Sequence, residues 1–262
     1  MPVVKIADAG LHYRIDGPEE APVLILSNSL GARLEMWDAQ IPDLAASFRV
    51  LRYDTRGHGG SSVTAGAYSI DQLGRDVLAM AEALDIERFS FCGLSMGGLV
   101  GQWLGIHAGD RLERLVLCNT AARIANDEIW NSRIDAIEAG GPQAMADLAS
   151  DAGRYWFTPE FMAASPAEVA RVTGMIGETS PRGYMACCAA IRDADFRTQL
   201  AQIRIPVLMV CGRQDAVTRL THGRFIQAHI AGAQLLELPA AHLSNVEAAG
   251  QFNRDVLAFL QP

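Results

Sequence analysis

The sequence predicts an α/β fold in which a mostly parallel sheet is covered by helices on both faces. The first observation is that short apolar runs alternate along the chain with longer amphipathic stretches, the rhythm of parallel strands joined by crossover helices. The second is that the short runs are almost continuously apolar, which is typical of strands buried on both faces. The third is an interruption of this rhythm between residues 121 and 195, which predicts an inserted helical segment.

The predicted strands and helices follow from the period of the apolar positions. The strands are Val23 to Leu26, Val50 to Tyr53, Phe89 to Cys92, Leu115 to Cys118, Val207 to Cys211 and Gln234 to Leu238. The helices with the clearest spacing are Ile70 to Leu84, Leu99 to His107 and Val246 to Leu260. Val4 to Ile6 and Leu11 to Ile15 are expected to form an antiparallel hairpin at one edge of the sheet.

Residues 121–195 contain helical patterns, glycines and prolines, but no convincing strand pattern. A segment of this length is too long for a simple connection. Ligands of open α/β sheets bind at the carboxyl ends of the strands, so we expect a helical cap over that edge. The predicted core is then residues 1–120 and 196–262. The alternative is a separate helical subdomain with no role in binding.

Composition and charge exclude several classes of protein. Half of the 262 residues are apolar, and the net charge of -8 argues against a broad nucleic-acid-binding surface. No signal-like N-terminal segment is present, and no apolar run approaches the ~18 residues that span a bilayer. The five cysteines show no CxxC spacing and predict buried thiols in a reducing compartment. We therefore expect a cytoplasmic protein that binds neither nucleic acid nor membranes.

A candidate nucleophile stands at the end of one predicted strand. Gly93-Leu94-Ser95-Met96-Gly97 fits the pattern G-x-S-x-G and lies between an apolar run and a helical pattern, which is the context of a nucleophile elbow. Glycines at 93 and 97 remove the Cβ atoms that would collide with a serine held in strained geometry. The alternative is a glycine-rich turn that packs a helix against a strand.

A serine hydroxyl needs a base, and the base needs a carboxylate that orients it. Of six histidines, His242 stands out because it lies between the last predicted strand and the final helix, in "LPAAHLSNVE". Asp215 follows another apolar run in "IPVLMVCGRQD". The chain order Ser95, Asp215, His242 predicts a catalytic triad. The alternative is an aspartate that caps a turn and a histidine that fills a loop.

With these residues in place, the whole chain resembles the α/β-hydrolases, which implies an eight-stranded sheet. "DTRGHGGSS", Asp54 to Ser62, resembles the family signature D-x-R-G-x-G-x-S after the fourth strand. In the family this stretch chiefly supports the site, so His58 is not the expected base. Asp54 and Arg56 are interpreted as a hydrogen-bonded turn, with an electrostatic contribution from Arg56 left open.

One departure from the family pattern narrows the resemblance. Many α/β-hydrolases carry H-G-x-G after the third strand, whereas this chain has Asn28-Ser29-Leu30-Gly31. The oxyanion hole needs only a backbone N–H at this position, and any residue except proline supplies one. The N–H groups of Leu30 and Met96 are therefore the expected oxyanion-hole donors. "SNSLG", "GLSMGG", "CGRQD" and "AAHLSNVE" together resemble the 3-oxoadipate enol-lactonases.

That resemblance implies hydrolysis of 3-oxoadipate enol-lactone to 3-oxoadipate in the β-ketoadipate pathway, without a metal or organic cofactor. The alternatives on the same triad are a broader carboxylesterase, a perhydrolase or a carbon–carbon bond hydrolase. Haloalkane dehalogenases and epoxide hydrolases need an acid where this chain has Ser95. A non-catalytic ligand-sensing module is a further alternative, and the oligomeric state stays open.

The implied substrate carries a carboxylate, and burial of an unpaired anion is strongly disfavoured. The predicted cap offers two cations beside tryptophans, Arg133 with Trp130 and Arg154 with Trp156. We expect these four residues, together with Ser29 of "SNSLG", to bind substrate. The alternative is that the arginines are solvated at the surface and the tryptophans only pack.

Overall fold

The structure is a computed structural model that describes residues 2–261. Within them the chain forms one eight-stranded sheet with the order β1-β2-β4-β3-β5-β6-β7-β8. The strands are β1 (Val3–Ile6), β2 (Ala9–Asp16), β3 (Val23–Ser27), β4 (Arg49–Tyr53), β5 (Phe89–Leu94), β6 (Leu112–Cys118), β7 (Val207–Gly212) and β8 (Gln234–Leu238).

The sheet is mostly parallel, as the sequence predicts. β1 pairs antiparallel with β2, and β2 pairs antiparallel with β4. All remaining neighbours are parallel. Every residue of β5 and β7 is buried, which explains why these runs are almost continuously apolar rather than alternating. The α/β class predicted from the apolar rhythm is confirmed.

Ten α-helices cover the sheet or lie beyond its edge within residues 2–261. They are α1 (Ile41–Leu44), α2 (Ile70–Ala83), α3 (Met96–His107), α4 (Asp127–Trp156), α5 (Pro159–Ala164), α6 (Pro166–Gly177), α7 (Pro181–Asp193), α8 (Leu220–His229), α9 (Ser244–Glu247) and α10 (Ala249–Leu260). Short 3-10 helices occur at Leu34–Gln40, Gly109–Arg111 and Leu200–Gln202. Each of these helices is too short or too polar to span a bilayer.

Two of the predicted helices differ from the observed ones by more than one residue. The helix expected to begin at Leu99 begins at Met96, because Gly97 and Gly98 break the apolar pattern although they allow the helix to pack closely on the sheet. The single helix expected over Val246 to Leu260 is two helices that meet at Ala248, whose φ of -116° and ψ of 38° are not helical. Apolar spacing alone does not report such a change in backbone direction.

Helices α4 to α7 lie between β6 and β7 in the chain, in the region predicted as a cap. α4 is bent at Gly141, where φ is 53° and ψ is -132°, and Pro142 starts its second arm. α7 contacts the core directly, since a Cβ on Gly57 would lie 2.7 Å from the Gly183 Cα. The division into a core and a cap at residues 121 and 195 stays a prediction. Residues 1 and 262, the outer ends of that core, lie outside the described residues.

All five cysteines are buried free thiols, as expected from their positions in apolar runs. Cys92 and Cys118 come nearest to each other, with 3.7 Å between their sulfur atoms on neighbouring strands. Burial raises the pKa of the Cys118 thiol well above its ordinary value. Cys92, Cys118 and Cys211 therefore pack as small apolar side chains on the strands, and Cys187 and Cys188 do so on α7.

Candidate active site

Ser95 occupies a sharp turn between β5 and α3. Its φ of 58° and ψ of -110° lie outside the regions that L-residues normally adopt. The turn is held by the neighbouring strand end, because the Ser95 N–H donates to the Cys118 carbonyl at 2.9 Å. Thr120 Oγ donates to the Ser95 carbonyl at 2.8 Å. The strained serine is therefore fixed through both of its backbone polar groups.

The two glycines of the motif are required by close backbone approach. A Cβ on Gly93 would lie 2.1 Å from the Gly97 carbonyl oxygen. A Cβ on Gly97 would lie 2.3 Å from the Ser27 carbonyl oxygen on β3. Since real Cβ atoms do not approach so closely, glycine is needed at both positions. The geometry of a nucleophile elbow follows directly from these contacts.

Asp215 and His242 follow β7 and β8 and meet at the carboxyl edge of the sheet. His242 Nδ1 lies 2.8 Å from Asp215 Oδ2, and both side chains are almost completely buried. Asp215 Oδ1 accepts from the N–H groups of Val217 at 2.8 Å and Thr218 at 2.9 Å. A carboxylate in this position fixes the orientation of the imidazole and favours the tautomer that carries its proton on Nδ1.

Asp215 is ionised at neutral pH. Burial acts most strongly on this carboxyl group and by itself would raise the pKa. Electrostatic attraction to His242 and hydrogen bonds from His242, Asn119 and Thr218 outweigh burial, and the pKa falls to about 2. The carboxylate is therefore available to stabilise an imidazolium on His242.

Ser95 and His242 line the same cavity, which has a volume of about 250 Å³. The floor of this cavity belongs to loops after the strands, and its walls include side chains of α4, α6 and α7. The size suits a small molecule rather than a polymer. A larger and more open groove of about 840 Å³ lies between the two arms of α4, but neither Ser95 nor His242 lines it.

The two N–H groups expected to bind an oxyanion are available. Leu30 lines the cavity, and Met96 is the first residue of α3. Within residues 2–261, no group accepts a hydrogen bond from either backbone N–H. Buried N–H groups normally have partners, so two unpaired donors beside Ser95 are the arrangement that an oxyanion hole needs.

The stretch from Asp54 to Ser62 supports the loop that carries Leu30. His58 Nε2 accepts the Gly31 N–H at 2.9 Å, and Asp54 Oδ1 accepts the Leu34 N–H at 2.8 Å. Burial lowers the pKa of His58 to about 4, so this ring is neutral and accepts through Nε2. Arg56 is paired with Asp8 and Asp76 at 2.7 and 2.6 Å. These contacts agree with the interpretation of the stretch as structural.

Four of the five expected substrate-binding residues line the cavity, namely Ser29, Trp130, Arg133 and Trp156. The Arg133 guanidinium lies over the Trp130 ring, 5.3 Å from its centre. Within residues 2–261, no carboxylate oxygen lies within 4.0 Å of a guanidinium nitrogen of Arg133. Arg133 is thus a cation at the cavity wall that has not been neutralised by the protein.

The expectation for Arg154 is corrected by the structure. Its side chain is 63% exposed, pairs with Asp151 and does not line the cavity. The reason is the period of α4, in which Ala152, Tyr155 and Trp156 face the cavity. A side chain at position 154 lies on a different face of the same helix.

Several residues at the site were not predicted from the sequence. Asn119 and Thr218 donate to Asp215 Oδ2 at 2.9 and 2.7 Å. Glu247 accepts the Ala241 N–H at 2.9 Å and also binds Thr158, the N-cap residue of α5. Tyr184 of α7 lines the cavity. Asn119 stands directly after an apolar strand, a position that is equally typical of a turn, and nothing in the sequence distinguishes Tyr184 or Glu247.

The chain matches the family model of the alpha/beta hydrolase fold over residues 22–249. It is 43% identical over 254 residues to 3-oxoadipate enol-lactonase 2 of Acinetobacter baylyi, covering 97% of this chain and 94% of the relative. It is 40% identical over 242 residues to 3-oxoadipate enol-lactonase 1 of the same organism, covering 92% of this chain and 90% of that relative.

Solved structures agree with these sequence relatives. The enol-lactonase of Burkholderia xenovorans superimposes with a TM-score of 0.96 at 43% identity, covering 99% of each chain. A hydrolase from Pseudomonas aeruginosa superimposes with a TM-score of 0.96 at 46% identity, covering 100% of this chain and 98% of the other. This chain therefore belongs to the α/β-hydrolase family and is a hydrolytic enzyme, similar over nearly its whole length to 3-oxoadipate enol-lactonases.

Proposed function

We propose that this enzyme hydrolyses 3-oxoadipate enol-lactone to 3-oxoadipate, the reaction that belongs to the β-ketoadipate pathway. The observation that carries the proposal is the cavity itself, which places Ser95, His242 and the unpaired Arg133 cation in one space of about 250 Å³. The names of the relatives at 43% and 40% identity support the same substrate. Ser95, Asp215 and His242 are the proposed catalytic triad, and residues 121–195 the proposed cap.

The first half of the reaction forms an acyl-enzyme. Ser95 Oγ attacks the ring carbonyl while His242 Nε2 accepts the hydroxyl proton, and Asp215 stabilises the imidazolium that results. The tetrahedral oxyanion is bound by the N–H groups of Leu30 and Met96. The ring C–O bond then breaks, and the leaving oxygen departs as an enolate that takes the proton from His242. An enolate is a better leaving group than an alkoxide, so little acid assistance is needed.

The second half consumes one water molecule. His242 removes a proton from the water, whose oxygen attacks the Ser95 ester. When the new tetrahedral intermediate collapses, Ser95 Oγ leaves and recovers its proton from His242. The product is a carboxylic acid whose enol tautomerises to the ketone. Lactone and water are thus converted to the keto acid with the enzyme unchanged.

Recognition of the substrate carboxylate is assigned to Arg133. A buried anion needs a partner, and this guanidinium is the cation at the cavity wall that no carboxylate neutralises within residues 2–261. Trp130 holds the guanidinium from one face. Ser29 and Trp156 complete the proposed contacts, as both line the cavity.

The test compares steady-state hydrolysis of 3-oxoadipate enol-lactone with that of a neutral short-chain ester. Wild type is expected to show a kcat/KM for the lactone that is larger by several powers of ten. Ser95→Ala should lose at least about 1000-fold on both substrates, because the nucleophile is absent. Ser90→Ala is the matched control, since Ser90 lies on β5 and is buried outside the cavity.

The proposed triad and the proposed substrate can be refuted independently. Fast ester cleavage with little lactone turnover, lost in Ser95→Ala, would keep the triad and replace the substrate by that of a broader carboxylesterase. Unchanged activity in Ser95→Ala on either substrate would remove the proposed nucleophile.

A further inference from the structure

We propose that Asn119 is a positioning residue that holds Asp215 and the loop of His242 in their working arrangement. This inference deepens the proposed function and rests on the proposed triad. Asn119 is the first residue after β6 and is completely buried. Its role is to act through Asp215 and His242, without contact with the substrate.

The backbone at Asn119 is itself constrained. Its φ of 42° lies in the left-handed region, which asparagine tolerates better than most residues. Its N–H donates to the Val210 carbonyl on β7 at 2.8 Å. The main chain therefore presents the Asn119 side chain from the point where two strands of the sheet end, on the side of the catalytic loops.

The Asn119 side chain joins three segments. Nδ2 donates to Asp215 Oδ2 at 2.9 Å and to the Ala241 carbonyl at 3.1 Å. Oδ1 accepts from Ser244 Oγ at 2.6 Å. The carboxylate and the carbonyl only accept hydrogen bonds, so the NH₂ group must face both of them, which leaves Oδ1 for the Ser244 hydroxyl. Both N–H groups and the oxygen of this amide thus hold the catalytic loops.

These contacts orient the two groups on which proton transfer depends, the Asp215 carboxylate and the His242 ring. Asp215 Oδ2 is the same oxygen that lies 2.8 Å from His242 Nδ1, so Asn119 helps to fix where that oxygen faces the ring. Ala241 precedes His242, and its carbonyl is bound by Asn119 while its N–H is bound by Glu247. The peptide that leads into His242 is thereby held on both sides. Such orientation is what a proton shuttle needs.

Loss of the amide should therefore lower catalysis without abolishing the fold. A hydrogen bond to a charged group that is lost in the transition state corresponds to about 10- to 100-fold in rate. We expect Asn119→Leu to lower kcat for the lactone in that range while KM stays within about twofold, since Asn119 does not line the cavity. Asn119→Gly is made in parallel because glycine adopts the left-handed backbone without strain.

The decisive readout is the rate at which a serine-directed organophosphonate labels Ser95, because labelling needs the activated serine but not the lactone. Asn253→Leu is the matched control. Asn253 is also buried, donates to Ala39 and Asp43 at 2.9 and 2.7 Å, and accepts from Gln40 at 2.9 Å. It does not line the cavity, so Asn253→Leu should lower Tm and keep the labelling rate of wild type.

The inference is supported if both Asn119 variants label about 10- to 100-fold more slowly than wild type while Asn253→Leu does not. Labelling of a folded Asn119 variant at the wild-type rate would overturn it, and so would an equal loss in Asn253→Leu. If wild type itself is not labelled, the proposed triad fails and this inference with it. That result is distinct from a wild type that labels normally beside unaffected Asn119 variants.

Discussion

At the scale of single residues, His58 shows how burial turns a titratable side chain into a fixed hydrogen-bond acceptor. Burial lowers the pKa of its ring to about 4, and Nε2 accepts the Gly31 N–H at 2.9 Å. Protonation would replace that acceptor with a donor facing an N–H group. The neutral ring therefore supports the turn beside Leu30, the proposed oxyanion donor.

This assignment predicts a pH dependence of stability. Between pH 6.5 and 4 the unfolded chain binds a proton at His58 that the folded chain does not, so the free energy of unfolding falls as the pH falls. The loss attributable to His58 is about 2 to 3 kcal/mol by pH 4.5. His58→Gln cannot titrate there, so its stability should fall by less over the same range, measured by urea unfolding at pH 7.5 and 4.5.

His229→Gln is the control for that experiment, because His229 lies on the exposed surface of α8. It should show the pH dependence of wild type. If the free energy of unfolding fell equally in wild type and His58→Gln between pH 7.5 and 4.5, the folded protein would accommodate a protonated His58. The role assigned to the neutral ring would then be withdrawn.

At the scale of elements, the β5–α3 turn is determined by how closely three backbone segments approach. A helix that begins at Met96 and a strand that ends at Leu94 leave one residue to reverse direction. The Gly97 contact with the Ser27 carbonyl then joins this turn to β3. The strained backbone of Ser95 is maintained because the surrounding strands hold this residue from several sides.

Gly97→Ala is therefore expected to be strongly destabilising and inactivating. The added Cβ would lie 2.3 Å from the Ser27 carbonyl oxygen, and overpacking of this kind costs about 1 to 3 kcal/mol. Displacement of Ser95 by about 1 Å lowers the rate by about 100-fold. Urea unfolding and organophosphonate labelling measure the two effects.

Gly174→Ala is the matched substitution in α6. A Cβ there meets no atom within 4 Å, so the variant should be more stable by about 0.5 to 1 kcal/mol from helix propensity. Its labelling rate should equal that of wild type. If Gly97→Ala retained both the stability and the labelling rate of wild type, close approach would not be what requires glycine at position 97.

At the scale of the whole molecule, the sequence was most informative where local pattern and tertiary environment agree. Fully buried strands such as β7 are continuously apolar, so they were recognisable, and the spacing of Ser95, Asp215 and His242 followed from the positions of the strands. The break at Ala248 was not predictable, because a change in backbone direction leaves the apolar spacing intact. The role of Asn119 was also missed, since a single asparagine after a strand is equally typical of a turn.

The two arginines of α4 show a further limit of the sequence. Arg133 and Arg154 each stand near a tryptophan in the chain, yet only Arg133 lines the cavity. The difference arises from the helix face on which each arginine lies, because Ala152, Tyr155 and Trp156 face the cavity and position 154 does not. Which face of a helix packs over the cavity is decided by tertiary packing, and it decides which cation can reach a substrate.

These two arginines provide the last prediction. Arg133→Leu should raise KM for a lactone that bears a carboxylate by about 10- to 100-fold, because a charge-assisted hydrogen bond is lost. A neutral ester should be hydrolysed within about twofold of the wild-type rate, since it makes no such bond. Arg154→Leu is the control on the same helix and should change neither substrate, as its side chain is 63% exposed. Steady-state kinetics with both substrates separates the outcomes: equal losses on the two substrates in Arg133→Leu would mean that Arg133 shapes the cavity without recognising the carboxylate.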